Sequence, residues 1–226
     1  MQSNYMPWKG YFDLMRSVDA FVVYDTVQYT KNDWRNRNRV KTAAGTTWLT
    51  VPVVMTGESG QRILDARTVD GRWAAKHLRT VIQEYARAEH LAVYRDELET
   101  LYSEAAGFDF LHDINMLFIG AVNRWLGVGT RLVQAHDLPL EGDRNERLLA
   151  ICRTLGATTY VSGPAARAYL DGAAFDQAGI AVEWFDYIGY PEYPQLHGAF
   201  VHEVSVLDLV LNTGPDARRY LDRHDR

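Results

Sequence analysis

The sequence predicts an α/β fold, a mostly parallel sheet with an inserted helical subregion. Three observations carry this. Short β-branched runs alternate with helix-period segments through the second half of the chain. Two further strand-like runs stand in the first quarter, at residues 20–25 and 46–53. The stretch from 72 to 128 reads as helix almost without a break. Alternation of strands and helices is the pattern that builds parallel sheets.

The elements follow in order. "AFVVYD" (20–25) is a compact apolar run ending in an acid, as in a buried strand. "TTWLTVPV" (46–53) is a second strand, entered through an Ala44-Gly45 turn. Trp73, His77, Val81 and Tyr85 recur every four residues, with Leu78 and Ile82 beside them, which marks an amphipathic helix. "ELETLYSEAA" and "FLHDINMLFIGAVNRWLGV" continue the helical block. "TRLVQAHDL" reads as strand, and "NERLLAICRTLG" as a helix stopped at Gly156. "TTYVSG" is a strand, "AARAYL" a helix after Pro164, "GIAVEWFDYI" a strand, and "SVLDLVLNTG" a helix ending at Gly214. Residues 54–62 read as a surface loop. No linker or repeat divides the chain, so residues 1–226 are expected to form one domain, with the helical subregion at about 72–128.

Bulk composition excludes several classes. The 226 residues are 47% hydrophobic and 23% charged, with a formal net charge of -5. That balance argues against a general nucleic-acid binder, which must neutralise many phosphates. One cysteine, Cys152, permits no intrachain disulfide and fits a reducing cytoplasm. It lies on the apolar face of a helix with Leu148, Leu149 and Leu155, a packing position. No apolar run reaches the ~18 residues of a membrane span, and no signal peptide is visible. The reading is of a cytoplasmic protein. Scattered histidines give no metal-ligand spacing, and no dinucleotide or P-loop motif occurs, so no metal or cofactor is expected.

Residues 31–41, "KNDWRNRNRVK", stand out against the acidic chain. They hold five basic residues, three asparagines, one tryptophan and one acid. Read as a loop between two strands, they are either a solvated charge run or an anion site. Arginine offers a planar fork of donors to phosphate or carboxylate, and asparagine both donates and accepts. Arg35, Arg37 and Arg39 alternate with Asn36 and Asn38. If extended, the segment places arginines on one face and asparagines on the other. One face then holds an anion while the other ties the segment to the protein, and sequence allows either assignment. Upstream, Gln2, Tyr5, Trp8 and Tyr11 surround a Pro-Trp-x-Gly turn before a helix. In open α/β sheets that turn faces the ligand crevice, where Gly10 allows close backbone approach.

Together these blocks resemble the WbqC-like protein family. The matching residues are Gln2, Tyr5, Pro7, Trp8, Gly10, Tyr11 and Phe12, then Asp25, Val27, Gln28, Tyr29, Lys31, Trp34, Asn36, Arg37, Asn38, Arg39 and Lys41. The likeness continues through "RLLAICRTLGATTYVSGPAARAYL", "YPQLHGAF" and "SVLDLVLNTG" and is weakest in the middle helices. Ser3 stands where the family carries proline. Family members also place several apolar residues before Gln2, forming a first strand. Either the start lies upstream of Met1 or that strand is lacking, and a missing strand would leave a central position of the sheet empty. The layout Pro7-Trp8-Lys9-Gly10-Tyr11 also resembles the His-x-Gly-His turn of nucleotidyltransferases, with aromatics in place of both histidines. The resemblance implies a Rossmann-like, nucleotidyltransferase-related fold, while the missing histidines argue against ordinary nucleotidyl transfer.

The family resemblance implies a biosynthetic enzyme of glycans or natural products, with acyl or aminoacyl (amide-forming) transfer as the expected reaction. The expected partner is an anionic small molecule or an acyl or aminoacyl carrier protein. Arg37, Arg39, Lys41 and Lys31 are the expected anion holders. Tyr5, Trp8 and Tyr11 are expected as walls, Gln2, Asn36, Asn38 and Gln195 as polar contacts, and Gln28, Trp34 and Tyr193 as further substrate-binding residues. Asp25 and His197 are the acid–base candidates. For Asp25 an ion pair with Arg37 or Arg39 is the competing expectation, and for His197 a structural hydrogen bond. Ser162, at a strand-to-helix turn, is read as a helix cap. The alternative function is a non-catalytic module that docks a carrier protein or RNA through residues 31–41.

Overall fold

The computed structural model describes residues 1–55 and 60–223. Its strands form three short ladders. β1 (Ala20–Val23) runs parallel to β4 (Arg131–Gln134), with Ala20 opposite Arg131 and Val23 opposite Gln134. β5 (Thr159–Ser162) runs parallel to β6 (Ala181–Trp184). β2 (Arg37–Thr42) and β3 (Gly45–Thr50) form an antiparallel hairpin, with Arg37 opposite Thr50 and Arg39 opposite Trp48. The result is a mixed α/β protein with parallel and antiparallel ladders. The basic stretch is therefore not a loop throughout, because its second half is β2. The hairpin turn needs Gly45, whose φ of +117° suits glycine.

Seven α-helices surround these ladders among the described residues: α1 (Lys9–Arg16), α2 (Arg72–Glu84), α3 (Leu91–Ala105), α4 (Leu111–Leu126), α5 (Arg144–Thr154), α6 (Gly172–Gln177) and α7 (Val206–Thr213). α5 starts at a capping box, Asp143 with Glu146, which satisfies first-turn N–H groups. The expected helix after Ser162 is instead a 3-10 turn (Pro164–Ala168), and the residue before it, Gly163, offers no side-chain cap. None of the helices is long and apolar enough to cross a membrane.

The helical block is not a separate cap. Its helices share one apolar core with α1, the hairpin and α7. Tyr5 sits at the centre, fully buried, 5.8 Å from Trp73 and 5.5 Å from Phe118. Its hydroxyl pairs with His77 Nδ1 at 2.9 Å and Tyr102 at 3.3 Å. A smaller cluster of Leu148, Leu149, Ile151, Cys152, Phe175 and Ile180 lies under α5, α6 and β5–β6. A cavity of about 1140 Å³ is lined by residues of β1 and β5. At its edge the Met1 amino group donates to the Val22 carbonyl (2.7 Å), and Tyr24 N–H donates to the Met1 carbonyl (2.8 Å).

His77 gives the core a pH signature. Burial, then the Lys76 charge, lowers its pKa from 6.5 to about 4. Above pH 6.5 the ring is neutral folded and unfolded. As pH falls below that, the unfolded chain takes the proton first, so stability drops until about pH 4. The shift is worth roughly 3 kcal/mol. Thermal melts of wild type and His77→Gln between pH 7 and 4 test this. The wild type should lose stability more steeply than the variant, and parallel curves would refute the assignment.

Candidate functional site

The hairpin resolves which face of the basic stretch points outward. Asn36 and Asn38 are buried. Asn36 Nδ2 donates to the Val51 carbonyl at 2.9 Å. Asn38 Nδ2 donates to the carbonyls of Met6 (2.7 Å) and Tyr5 (3.3 Å), while its Oδ1 accepts from Arg39 N–H (2.8 Å). Asn38 thus ties β2 to the N-terminal turn, and Asn36 ties the start of the hairpin to the backbone at Val51. Arg37 and Arg39, on alternate positions, face the other way.

On that outer face the Arg37 guanidinium lies 4.1 Å from the centre of the Trp48 ring. Arg39 lies 5.5 Å from Trp48 and 5.8 Å from Trp34. The two indoles are 5.4 Å apart and 39% and 42% exposed. With Asn32 and Asp33 they line a notch of about 300 Å³. Neither Arg37 nor Arg39 forms an ion pair among the described residues, and both Nε atoms are buried without a hydrogen-bond partner. Asp33 is spent on Trp34 N–H (2.7 Å) and Arg35 (3.5 Å). Unpaired guanidinium beside exposed indole suits a ligand that carries both an anionic group and a flat or apolar part.

Arg35 and Lys41 leave this face. Arg35 precedes β2, so the alternation does not govern it, and its guanidinium donates to Gln2 Oε1 (3.2 Å) and Asn4 Oδ1 (3.3 Å). Lys41 is 1% exposed and donates to the Ala199 carbonyl at 2.5 Å. Lys31 is exposed, and Gln28 is exposed beside Arg62.

The predicted aromatic walls sit apart from the notch. Tyr5 and Tyr11 are core residues, the latter packed on Phe12 and Phe21 and donating to the Gln2 carbonyl. Trp8 packs against Tyr187 (5.5 Å) and Tyr190 (5.7 Å). Gly10 serves this packing rather than a ligand, since a Cβ there would lie 2.4 Å from the Trp8 ring.

The C-terminal candidates gather elsewhere. Asp208, buried on α7, accepts from Tyr85 (2.7 Å), Tyr193 (2.7 Å) and Gln195 (2.6 Å). Burial raises its pKa, opposed by those hydrogen bonds and the Lys41 charge. Lys9 donates to the Pro191 carbonyl (2.9 Å) and lies 5.1 Å from the Tyr190 and Tyr193 rings. Burial lowers its pKa to about 8. His197 Nε2–H donates to the Glu84 carbonyl at 2.8 Å, which is the structural alternative weighed for it. Asp25 is not paired with Arg37 or Arg39. It accepts from Ser3 N–H (2.8 Å) and holds His112 Nδ1 at 2.7 Å. Asp25 and His197 are therefore engaged by different elements.

Sequence reasoning missed Trp48, Asp33 and His112. Trp48 becomes visible once the hairpin register sets it opposite Arg39. His112 carries no local signal, being 87 residues from Asp25.

A hairpin that offers two arginines without ion pairs among the described residues, beside two indoles on an asparagine-anchored strand, stands on a mixed α/β core. The sequence model of the WbqC-like protein family matches residues 2–220, and the chain belongs to that family. It is 46% identical over 222 residues to "Uncharacterized protein Rv1507c" of Mycobacterium tuberculosis, covering 98% of this chain and 95% of that protein. No solved structure matches.

The two faces of β2 should respond differently to truncation. Asn38→Ala removes a buried donor from two carbonyls and should cost about 1–3 kcal/mol in denaturant unfolding. Arg37→Ala loses only a half-buried stacking contact with Trp48, about 0.5–1 kcal/mol. The reverse ranking would make Arg37 structural and remove the basis for the site.

Proposed function

We propose that this protein is a biosynthetic transferase whose substrate carries a phosphate or carboxylate held by Arg37 and Arg39. The observation that supports this is the pair of guanidinium groups without a carboxylate partner beside exposed Trp34 and Trp48. The bound group is either a small molecule or the prosthetic arm of a carrier protein. The reaction we assign is acyl or aminoacyl transfer that forms an amide, in glycan or natural-product biosynthesis, as the family resemblance implies. Such transfer draws much of its rate from positioning and from charge stabilisation, which rigidly mounted guanidinium groups supply.

One observation favours a second reading. The notch is shallow, and the expected acid–base residues Asp25 and His197 are occupied by other partners. A docking module for a carrier protein needs only the notch.

A thermal-shift and tryptophan-fluorescence screen separates these readings. The panel holds sugar nucleotides, acyl adenylates, coenzyme A thioesters and loaded carrier proteins. A small-molecule hit should quench Trp34 and Trp48, and Arg37→Ala should weaken it by about 1–3 kcal/mol. A shift with loaded carrier alone and no turnover would select the docking module. A hit insensitive to both Arg37→Ala and Arg39→Ala would place the ligand elsewhere.

A further inference from the structure

We propose that His112 is a general base of this protein and that buried Asp25 is its positioning residue. Asp25 Oδ2 lies 2.7 Å from His112 Nδ1, and Asp25 Oδ1 accepts from Ser3 N–H at 2.8 Å. A carboxylate only accepts, so in the neutral ring the proton sits on Nδ1 and the lone pair on Nε2. Among the described residues Nε2 makes no hydrogen bond. The side chain is 9% exposed, so the ring is nearly dry.

The position in the fold supports the assignment independently. Asp25 lies two residues beyond the end of β1, and His136 two beyond the end of β4. These strands are parallel neighbours, so both residues stand at the carboxyl ends, where open α/β sheets bind ligands. The His112 and His136 rings are 5.5 Å apart. The cavity beside β1 is lined by Tyr24 and Thr26, on either side of Asp25, whereas Asp25, His112 and His136 do not line it. The pair also connects to the anion notch. Asn115, one turn beyond His112 on the same face of α4, donates to the Arg35 carbonyl (2.9 Å) and to Ser3 Oγ (3.0 Å). The strand bearing Arg37 and Arg39 is thereby fastened beside His112.

The step rests on the acyl-transfer reading. An attacking hydroxyl, amine or water adds to the acyl carbonyl as its proton passes to Nε2. The bond from that carbon to the leaving group breaks with its electron pair. The imidazolium then returns the proton to the leaving group or to water. Nδ1–H stays donated to Asp25 throughout, and the carboxylate stabilises the transient imidazolium. The charged and titratable groups near the pair are the Met1 amino group, Tyr11, Arg35 and His136.

The test uses p-nitrophenyl acetate, an uncharged acyl donor that makes no demand on the arginines. Failure here is therefore separable from failure of the anion reading, which is measured by notch binding. Wild type should release p-nitrophenolate faster than free imidazole at equal concentration. His112→Gln should lower that rate at least ten-fold, within the roughly 10²–10⁴-fold range of general-base catalysis. Asp25→Asn should lower kcat and leave KM unchanged, because the ring loses the acceptor that fixes its tautomer. Cys152→Ser should leave the rate unchanged, excluding a thiol route. Should His112→Gln fail to fold, wild type is carbethoxylated with diethyl pyrocarbonate and His112 occupancy read by mass spectrometry. Loss of activity in step with His112 modification supports the proposal. Full activity with His112 modified, an unchanged rate in folded His112→Gln, or no rate above free imidazole overturns it.

Discussion

Everything exposed on the hairpin depends on the buried carboxamide of Asn38. It bonds the carbonyls of Tyr5 and Met6, at a bend where Met6 adopts a φ of +45°. Those carbonyls belong to the turn that leads into α1, so the bond joins the first helix to β2. The period of a strand is two, and a slip of one residue would bury guanidinium and expose carboxamide. Burying an unpaired guanidinium is far costlier than burying a bonded amide. The register is therefore held from below, by asparagine, and the arginines are left free to meet a ligand.

The same use of buried polar groups recurs on the opposite flank of the core. Residues 185–205, between β6 and α7, form neither helix nor strand. A segment of that length must find partners for its backbone carbonyls or remain in water. Lys9 and Lys41 supply two, at Pro191 and Ala199. Asp208 gathers Tyr193 and Gln195, and Asp13 accepts from Tyr190 at 2.7 Å. The ammonium of Lys9 lies against the Tyr190, Tyr193 and Phe200 rings, which offsets part of its desolvation. The cationic side chains that the sequence presents as interchangeable thus divide sharply. Two lysines are spent on holding a strap, and two arginines are not spent at all.

The sequence shows this division only in part. The alternation of Arg37 and Arg39 with Asn36 and Asn38 is legible, because a strand's two faces follow from its period alone. It misleads at both ends. Arg35 precedes the strand, and Lys41 is turned inward by a contact with residue 199 that no local pattern reveals. Helices α2 to α4 are legible from apolar spacing. The short α6 is not, since six residues with one large apolar side chain, Phe175, carry no measurable period. Tyr5 and Trp8 read as pocket walls because aromatics at a turn resemble a binding surface. Only packing against Trp73 and Phe118 in one case, and Tyr187 and Tyr190 in the other, tells core from pocket. Asp25 is legible as a carboxylate at a strand end, while its partner arrives from a helix 87 residues later.

Recognition and proton transfer make opposite demands on solvent, and on the proposed assignments this fold would separate them accordingly. A guanidinium that captures an anion from solution benefits from exposure, since burial without a partner would cost more than the contact returns. A histidine that takes a proton at the right moment benefits from a dry site and a fixed tautomer. β2 carries the first kind of group on its outer face, and the start of α4 carries the second against Asp25. Asn115, bonded to both Arg35 and Ser3, spans the two. It is fully buried, so the spacing between the notch and the imidazole is set by core packing rather than by a loop. A substrate that reaches from one to the other must match that spacing. The rigidity of this link, more than the identity of any single charge, would therefore govern which substrates are accepted.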